Sequence, residues 1–389
     1  MTAGGGVKNW PDDESFAEWF GSRAGLLARR VVLMRPEIRV AVVVPSYKVR
    51  RHILDVLAEI GPEVGQIYVV DDCCPDGSGD FVQEHCRDPR VKVIRLPVNQ
   101  GVGGAVMAGY RAAVEGGADV IVKVDGDGQM DPALIPCFVE PIASGEADYT
   151  KGNRFYDLEE IRAMPGIRIF GNAVLSLMAK VSTGYWDLFD PTNGYTAIHA
   201  DVARELPTER ISKRYFFETD MLFRLNTLRA VVVDVPMHAR YGDEVSNLKV
   251  GRIVTEFMFK HARNLFKRIF YSYYLRDISI ASLELPMGLL MFAFGLVFGI
   301  YSWVQSASYG VPTTAGTVML AALPLLMGLQ FVLAFLAYDI SAVPRKPRQR
   351  IGAHLAALNR GRTGRAGAPT SQPPSATGHK SVADRGGPP

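Results

Sequence analysis

Apolar runs alternate with helix-like stretches over the first part of the chain. The apolar runs lie at residues 39–45, 66–72, 91–96 and 118–124, and the stretches between them at 52–60, 77–86 and 101–115. Buried strands that alternate with helices form a mainly parallel sheet covered on both faces. The pattern therefore predicts an α/β domain. It continues less regularly, with helices expected at 132–144, 161–182 and 215–228 and strands at 195–199 and 230–236.

Two long apolar segments follow this pattern. Residues 285–304 and 317–338 each have the length of roughly twenty residues that a helix needs to cross a bilayer. No Asp, Glu, Lys or Arg occurs between Glu284 and Asp339. We expect two transmembrane helices joined by a short loop. A pair of buried helices in a soluble protein is the alternative.

Composition divides the chain into five parts. Residues 1–38 form an N-terminal extension, in which 16–34 has the pattern of an amphipathic helix that lies either on a membrane or against the main domain. The main α/β domain covers 39–250. The other parts are a basic, aromatic juxtamembrane segment, the two membrane helices and a basic tail expected to be disordered, at 251–282, 283–340 and 341–389.

Positive charge flanks the apolar segments. Basic residues interleave with aromatic ones over 251–276, and more follow the second apolar segment at Arg345, Lys346, Arg348 and Arg350. The positive-inside rule then places the large domain and both termini in the cytoplasm. The interleaving is also compatible with RNA binding, but beside a membrane helix it favours the lipid headgroup layer. The net charge of +3 is too small to indicate a nucleic-acid partner.

An acidic stretch follows the fourth predicted strand. Asp125 and Asp127 are separated by Gly126, and Gln129 comes next. Glycine permits a tight turn, so the two carboxylates can converge, at the sheet edge where open α/β folds bind ligands. Carboxylate and amide oxygens are hard ligands suited to Mg²⁺ or Mn²⁺ carrying substrate phosphates. A plain Asp- and Gly-rich turn is the alternative.

A second pair of acids, Asp71 and Asp72, ends the second predicted strand. The two acidic loops should therefore share one edge of the sheet. The glycine loop that begins at Gly101 resembles a dinucleotide-binding loop, but the third glycine of that motif is replaced by Val106. We therefore favour a metal site over NAD binding.

Six motifs occur in a fixed order. They are Val44-Pro45-Ser46-Tyr47, Val70-Asp71-Asp72-Cys73-Cys74-Pro75-Asp76, Asn99-Gln100-Gly101-Val102-Gly103, Asp125-Gly126-Asp127-Gly128-Gln129, Gly152-Asn153-Arg154 and Asp190-Pro191-Thr192-Asn193-Gly194-Tyr195. Together they resemble family 2 glycosyltransferases of the GT-A fold, and among these the polyprenyl-phosphate (dolichol-phosphate mannose synthase-like) sugar transferases. The resemblance covers residues 39–250 and implies a Rossmann-like nucleotide-diphospho-sugar transferase domain before the two-helix hairpin.

The resemblance also implies roles for individual residues. Nucleotide-sugar contacts are Pro45, Tyr47, Asp71, Asp72, Asp76, Asn99, Gly103 and Asp125. Ligands of Mg²⁺ or Mn²⁺ are Asp127, Gln129 and Asp125. Phosphate contacts are Arg154, Arg168, Arg240 and Ser246. Catalytic residues are Asp125, Asp127, Asp190 and Arg154, with Asp190 either positioning the sugar or acting as a base towards a hydroxyl acceptor.

Four positions stand apart from the family pattern or its motifs. Cys74 replaces a usual serine. Arg240 and Ser246 resemble a closing loop of the family, in which Asn247 replaces the usual lysine and Lys249 is the nearest substitute. Glu218 and Asp220 are not part of any motif and face either the site or solvent.

The sequence predicts a membrane-anchored, metal-dependent, inverting hexosyltransferase. Its expected partners are a UDP- or GDP-sugar, a polyprenyl phosphate and membrane lipid. The alternatives are a transferase of the same fold that acts on another lipid or a polysaccharide, and a non-catalytic membrane scaffold. The identity of the sugar and homo-oligomerisation stay open.

Overall fold

The structure is a computed structural model that describes residues 38–156, 166–237 and 250–350. The predicted N-terminal helix at 16–34, the closing loop with Arg240 and Ser246, and the tail beyond residue 350 lie outside this part of the chain.

A seven-stranded sheet forms the centre of the main domain, in the order β3-β2-β1-β4-β6-β5-β7. The strands are β1 (Val40–Ser46), β2 (Val64–Asp71), β3 (Val91–Arg95), β4 (Val120–Lys123), β5 (Tyr149–Asn153), β6 (Thr196–His199) and β7 (Val232–Pro236). Strands β1 to β4 are mutually parallel, as predicted, but β6 runs antiparallel to both β4 and β5. The sheet is therefore mixed.

Strand β5 is absent from the sequence-based prediction. Its sequence, Tyr-Thr-Lys-Gly-Asn, is polar, yet all five residues are buried. Part of the reason is that Thr150 donates its hydroxyl to the carbonyl of Phe138, at 2.8 Å. A short buried strand made largely of polar residues has no apolar alternation to reveal it.

Helices cover both faces of the sheet. They are α1 (Ile53–Glu59), α2 (Ser78–His85), α3 (Val102–Glu115), α4 (Ile135–Ala143), α5 (Gly166–Thr183), α6 (Ala200–Glu205), α7 (Phe217–Leu228), α8 (Val250–Phe270), α9 (Ala281–Tyr309) and α10 (Ala315–Ser341). A hydrophobic core lies on each face of the sheet, and alternate residues of β1 contribute to each. Ala41 and Val43 pack with α3, α6 and α7, whereas Val42 and Val44 pack with α1 and α4. Because both faces are covered, the strand is apolar throughout, as its sequence is.

Helix α8 packs against α5 and α7 with an unusual distribution of side chains. Its buried residues are polar, namely His261, Asn264 and Arg268. Its exposed face carries Phe259 and Phe266, which are 72% and 73% exposed. This inversion suits a helix with one face on a polar protein surface and the other in the headgroup layer.

Helices α9 and α10 contain 29 and 27 residues, with mean hydropathies of 2.0 and 2.2. They are long and apolar enough to cross a membrane, and they include both predicted segments. Most of their apolar side chains are exposed, which water would not favour over surfaces this large. The helices approach closely at glycine, since a Cβ on Gly295 would lie 2.7 Å from the carbonyl oxygen of Ala321.

A buried ion pair joins the hairpin to the main domain. Arg268 of α8 donates to both carboxylate oxygens of Asp339, near the end of α10, at 2.6 and 2.9 Å. The same carboxylate accepts hydrogen bonds from the Tyr273 hydroxyl at 2.5 Å and the Trp186 indole at 2.9 Å. The positive charge of Arg268 and the negative charge of Asp339 neutralise each other, so the pair is compatible with burial.

The segment after α10 corrects the expectation of a disordered tail from residue 341. The backbone amides of Arg348 and Gln349 donate to the buried carboxylate of Asp148, at 2.7 and 2.9 Å. Arg348 also forms an ion pair with Glu205. Residues 342–350 are therefore docked on the main domain, because Asp148 offers two acceptor oxygens that the sequence pattern does not reveal.

We predict that Asp148→Asn lowers the free energy of unfolding by about 2–4 kcal/mol, because the new amide group opposes buried N–H donors. Melting of the purified protein in detergent measures this change. The control is Asp201→Asn, which removes an exposed carboxylate charge beside Arg204 and His199 and should cost less than about 1 kcal/mol. Equal effects of the two variants would contradict the docking.

Candidate functional site

A cleft of about 570 Å³ lies at the carboxyl ends of β1 and β4. Six of the predicted residues line it: Pro45, Tyr47, Asp72, Asn99, Asp125 and Asp127. The lining also includes Arg214 and Tyr215, which no motif singled out. Three predicted nucleotide contacts, Asp71, Asp76 and Gly103, are not part of the lining.

The two acids after β2 hold the loops that frame the cleft. The carboxylate of Asp71 accepts the amides of Cys74 and Gly79, both at 2.7 Å. That of Asp72 accepts the amides of Gln100 and Gly101, at 2.6 and 2.7 Å. Burial raises the pKa of Asp72 although these hydrogen bonds act in the opposite direction. Both acids therefore shape the beginnings of α2 and α3.

Gly103 permits a close approach between chain segments. A Cβ there would lie 2.5 Å from the carbonyl oxygen of Ser212 and 2.6 Å from the ring of Phe217. The Gly103 amide donates to the carbonyl of Lys213, at 2.9 Å. The glycine thus allows the segment at 212–217 to dock on α3, which brings Arg214 and Tyr215 to the cleft.

A buried lysine lies beneath the metal motif. Lys123 is 1% exposed, and its ammonium lies 2.7 Å from Asp125 and donates to the carbonyl of Gly194 at 3.0 Å. Burial lowers the pKa of Lys123, but the Asp125 and Glu218 charges outweigh it and the net shift is upward. The lysine stays charged and holds one oxygen of Asp125 in place.

Asp127 and Gln129 form a tight turn at the cleft. The Asp127 carboxylate accepts the Gln129 amide at 3.0 Å, and Gly128 between them has a φ of 81°. Only glycine adopts this φ readily. Among the described residues no cluster of three His, Cys, Asp or Glu side chains is present. Two carboxylates suffice for Mg²⁺, which keeps waters and substrate phosphates in its shell.

Arg154 and Asp190 form a bidentate ion pair. The Arg154 guanidinium donates to the two oxygens of Asp190, at 2.8 and 3.2 Å. Asp190 has no exposed surface, whereas the Arg154 side chain is 32% exposed. Burial opposes ionisation, but Lys151 and Arg154 lower the pKa of Asp190 below its ordinary value. The buried Asp190 carboxylate therefore holds the Arg154 guanidinium in place.

The turn at 190–195 connects the metal motif to this ion pair. Asp190 at its start holds Arg154, while Gly194 near its end accepts from Lys123. A Cβ on Gly194 would lie 2.9 Å from Asp125. One short turn therefore fixes the acidic cleft relative to the exposed arginine.

An apolar groove of about 330 Å³ begins next to the ion pair. It is lined by Phe155, Ile169, Asn172, Ala173, Ser176, Leu177, Lys180 and Phe189. Phe155 follows Arg154 in the chain and Phe189 precedes Asp190. The exposed, 56% accessible side chain of Leu177 extends this surface along α5.

Three buried ionisable residues near the site are outside every motif. Lys151 of β5 is 1% exposed and its ammonium has no hydrogen-bond partner among the described residues; burial lowers its pKa. Burial raises the pKa of Glu218, which lies close enough to Lys123 for their charges to interact. Asp220 instead accepts the Ser212 amide and the Asn264 side chain and is structural. The side chain of Arg168 lies outside the described part of the chain.

The protein-family model described as "Glycosyl transferase family 2" matches residues 41–206. The undecaprenyl-phosphate mannosyltransferase of Micrococcus luteus is 34% identical over 205 residues, which cover 51% of this chain and 83% of the relative. The polyprenol monophosphomannose synthase of Mycolicibacterium smegmatis is 28% identical over 59% of this chain and 88% of its own.

Among solved structures, the glucosyl-3-phosphoglycerate synthase of Mycobacterium tuberculosis in complex with Mn²⁺, uridine diphosphate and glucosyl-3-phosphoglycerate is 16% identical. The aligned region covers 64% of this chain and 85% of the synthase chain, with a TM-score of 0.44.

The fold and the site therefore define a nucleotide-sugar-transferase type of α/β domain, of the predicted GT-A class, followed by two long apolar helices. The chain belongs to glycosyl transferase family 2 and is a glycosyltransferase.

We predict that Arg154→Lys lowers the rate of glycosyl transfer about 10- to 100-fold, because lysine cannot form the bidentate, charge-assisted pair with Asp190. Steady-state kinetics of the purified enzyme measure it. Arg95→Lys is the control: it alters an exposed ion pair with Asp80 and should change the rate less than about twofold. A normal rate for Arg154→Lys would mean that the bidentate pair of Arg154 with Asp190 is not needed for glycosyl transfer.

Proposed function

We propose that the protein is a membrane-anchored, inverting transferase that moves a hexose from a nucleoside diphosphate sugar to a polyprenyl phosphate. The observation that carries the proposal is the turn at 190–195, which places an acidic cleft beside an exposed arginine and an apolar groove. Two relatives are named for undecaprenyl-phosphate and polyprenol-phosphate substrates, which agrees with this arrangement.

The cleft supports the donor end of the reaction. Its volume of about 570 Å³ is within the range of small-molecule sites. The beginning of α3 contributes Gly101 and Val102 to the lining, so the positive end of a helix dipole faces the cleft. Tyr47 and Tyr215 offer aromatic surface for a base, and Arg214 adds a positive charge.

Asp127 and Asp125, with Gln129 next to them, fit the predicted divalent cation by the chemistry of their oxygens. Lys123 occupies one oxygen of Asp125 at 2.7 Å, which leaves Asp127 as the main ligand. Bound Mg²⁺ or Mn²⁺ would stabilise the charge that develops on a leaving diphosphate. Asp125 and Lys123 keep the surrounding carbonyl and carboxylate oxygens in a fixed arrangement before the donor arrives.

The groove and Arg154 support the acceptor end. A lipid phosphate is already an anion, so no base is needed to activate it. It needs a cation that binds it close to the sugar carbon. Arg154 is held by Asp190 with part of its guanidinium exposed. The apolar groove starts one residue from each member of this pair, so an isoprenoid chain can lie in it while its phosphate reaches Arg154.

Helix α8 and the hairpin support placement at the cytoplasmic membrane surface. The exposed aromatic rings of α8 and its cations suit the headgroup layer. Basic residues precede α9 and follow α10, including Arg276 and Arg345, and the chain between Glu284 and Asp339 has none. By the positive-inside rule the catalytic domain and both chain ends then lie in the cytoplasm.

We predict that Leu177→Asp raises the KM for a long polyprenyl phosphate about tenfold or more, because a charge in the groove disfavours the apolar chain. The KM for a short, water-soluble isoprenyl phosphate and for the donor should stay the same. Radiolabelled UDP- and GDP-sugars with sealed, inverted membrane vesicles provide the assay, and right-side-out vesicles should give no product.

Val98→Asp is the matched control, since Val98 is 61% exposed and lines neither the groove nor the acidic cleft. Absence of any lipid-linked sugar from the wild type, across all common donors, would overturn the proposed function. Product formed only in right-side-out vesicles would overturn the orientation alone.

We predict that Asp127→Asn lowers turnover about 100-fold or more, because roughly 3 kcal/mol of transition-state stabilisation is lost with the ligand. Binding of Mn²⁺ in the presence of nucleoside diphosphate, followed by electron paramagnetic resonance, should weaken in parallel. Melting should be unchanged, since the substitution relieves repulsion between neighbouring carboxylates.

Asp119→Asn is the control, because Asp119 precedes β4 at the opposite end of the strand and pairs with Arg39 at the surface. Normal Mn²⁺ binding and turnover in Asp127→Asn would reduce Asp127 to a turn residue.

A further inference from the structure

A second polar cavity, of about 380 Å³, lies where the hairpin meets the main domain. It is enclosed by the π-helical turn at Tyr271–Arg276, the end of α10, the end of α7 and the start of the loop after α5. Three of its lining residues are arginines, Arg229, Arg268 and Arg276. It shares no lining residue with the acidic cleft or the apolar groove.

The cavity lies at one end of both membrane helices. It is lined by Asp277 and Ser279, just before α9, and by Asp339, just before α10 ends. Glu284 and Asp339 delimit the uncharged stretch of sequence between them. Charged side chains stop where hydrocarbon begins, so this cavity is at the level of lipid headgroups when the hairpin spans a bilayer.

The cavity has polar groups that the protein itself does not satisfy. Within the described part of the chain, the guanidinium Nε of Arg268, a residue that is 4% exposed, has no hydrogen-bond partner, and neither has the buried hydroxyl of Ser279. A buried donor left without a partner costs free energy of about 1–3 kcal/mol. Both groups belong to residues that line the cavity.

The charge balance favours an anion. The carboxylate of Asp339 is already matched by Arg268 and is hydrogen-bonded to Tyr273 and Trp186. The other charged residues of the lining are Arg229, Arg276 and Asp277, so the lining has one positive charge in excess. Arg276 is exposed and is 5.3 Å from the ring of Tyr271, an arrangement that leaves its N–H groups able to bind an anion.

We propose that this cavity binds the phosphate group of an anionic membrane lipid, at a site separate from the one for sugar transfer. The ligand chemistry is a phosphate with free oxygens; the position at the membrane surface identifies a phospholipid headgroup as its source. The proposal rests on the proposed membrane placement of the hairpin but not on the transfer reaction. Such a lipid would stabilise the contact between α10 and the main domain.

The test measures binding of short-chain phosphatidylglycerol to the full-length protein in neutral detergent, by native mass spectrometry and by the rise in melting temperature. Arg276→Gln and Ser279→Ala remove one cation and one unpartnered hydroxyl from the cavity. We expect Arg276→Gln to weaken binding about tenfold and Ser279→Ala severalfold, by the loss of hydrogen bonds to a charged group. Melting without lipid verifies that both variants fold.

Arg263→Gln is the matched control: it removes the same charge from an exposed position of α8 outside the cavity. It should leave the affinity within about twofold, since a surface charge contributes little to a specific site. Equal weakening in Arg263→Gln and Arg276→Gln would mean general electrostatic attraction and would overturn the site.

Two further ligands identify the source of the phosphate. Short-chain phosphatidylcholine should bind more weakly than phosphatidylglycerol, and glycerol phosphate should bind more weakly still. Glycerol phosphate that binds as tightly as the lipid, with the same loss in Arg276→Gln, would support the phosphate site but overturn the lipid source. Sugar-transfer assays on the same samples separate this outcome from failure of the proposed function.

Discussion

The buried ion pair between Arg268 and Asp339 unites the membrane hairpin and the sugar-transferase domain in one structure. Two charges taken out of water cost several kcal/mol each, and only good geometry with further hydrogen bonds offsets this. Both carboxylate oxygens accept from Arg268, and Tyr273 and Trp186 supply the remaining donors. Trp186 belongs to the loop that leads to Asp190. The position of the two apolar helices is therefore linked, through one hydrogen-bonded polar cluster, to Arg154 in the site.

Within the domain, charges of opposite sign are placed in pairs before any substrate arrives. Lys123 holds Asp125, and Asp190 holds Arg154, each pair with one buried member and one partly exposed member. The turn at 190–195 contacts both pairs. A site assembled in this way does not have to reorganise when a diphosphate leaves and a lipid phosphate attacks, which is the usual source of electrostatic stabilisation in enzymes.

Some residues of the sequence motifs make contacts within the protein in addition to the roles expected of them. Asp71 and Gly103 belong to matching motifs, yet one caps a helix and the other admits a neighbouring segment. Lys151 and Lys123 were missed because a lysine in a strand normally indicates exposure. Lys123 pairs with the nearby Asp125, but the Glu218 charge that also acts on it comes from a distant part of the chain, as does the Asp190 charge that acts on Lys151.

The sequence by itself determined the parallel half of the sheet, the acidic edge and the two membrane helices, because each depends on local periodicity, turn residues or a long uncharged run. Only the tertiary structure decided the antiparallel insertion of β6, the burial of β5 and the docking of residues 342–350 on Asp148. These features depend on polar groups whose partners lie 12 to 200 residues away in the chain. No local pattern records such a pairing, since the free energy of a buried polar group is set by the partner it meets.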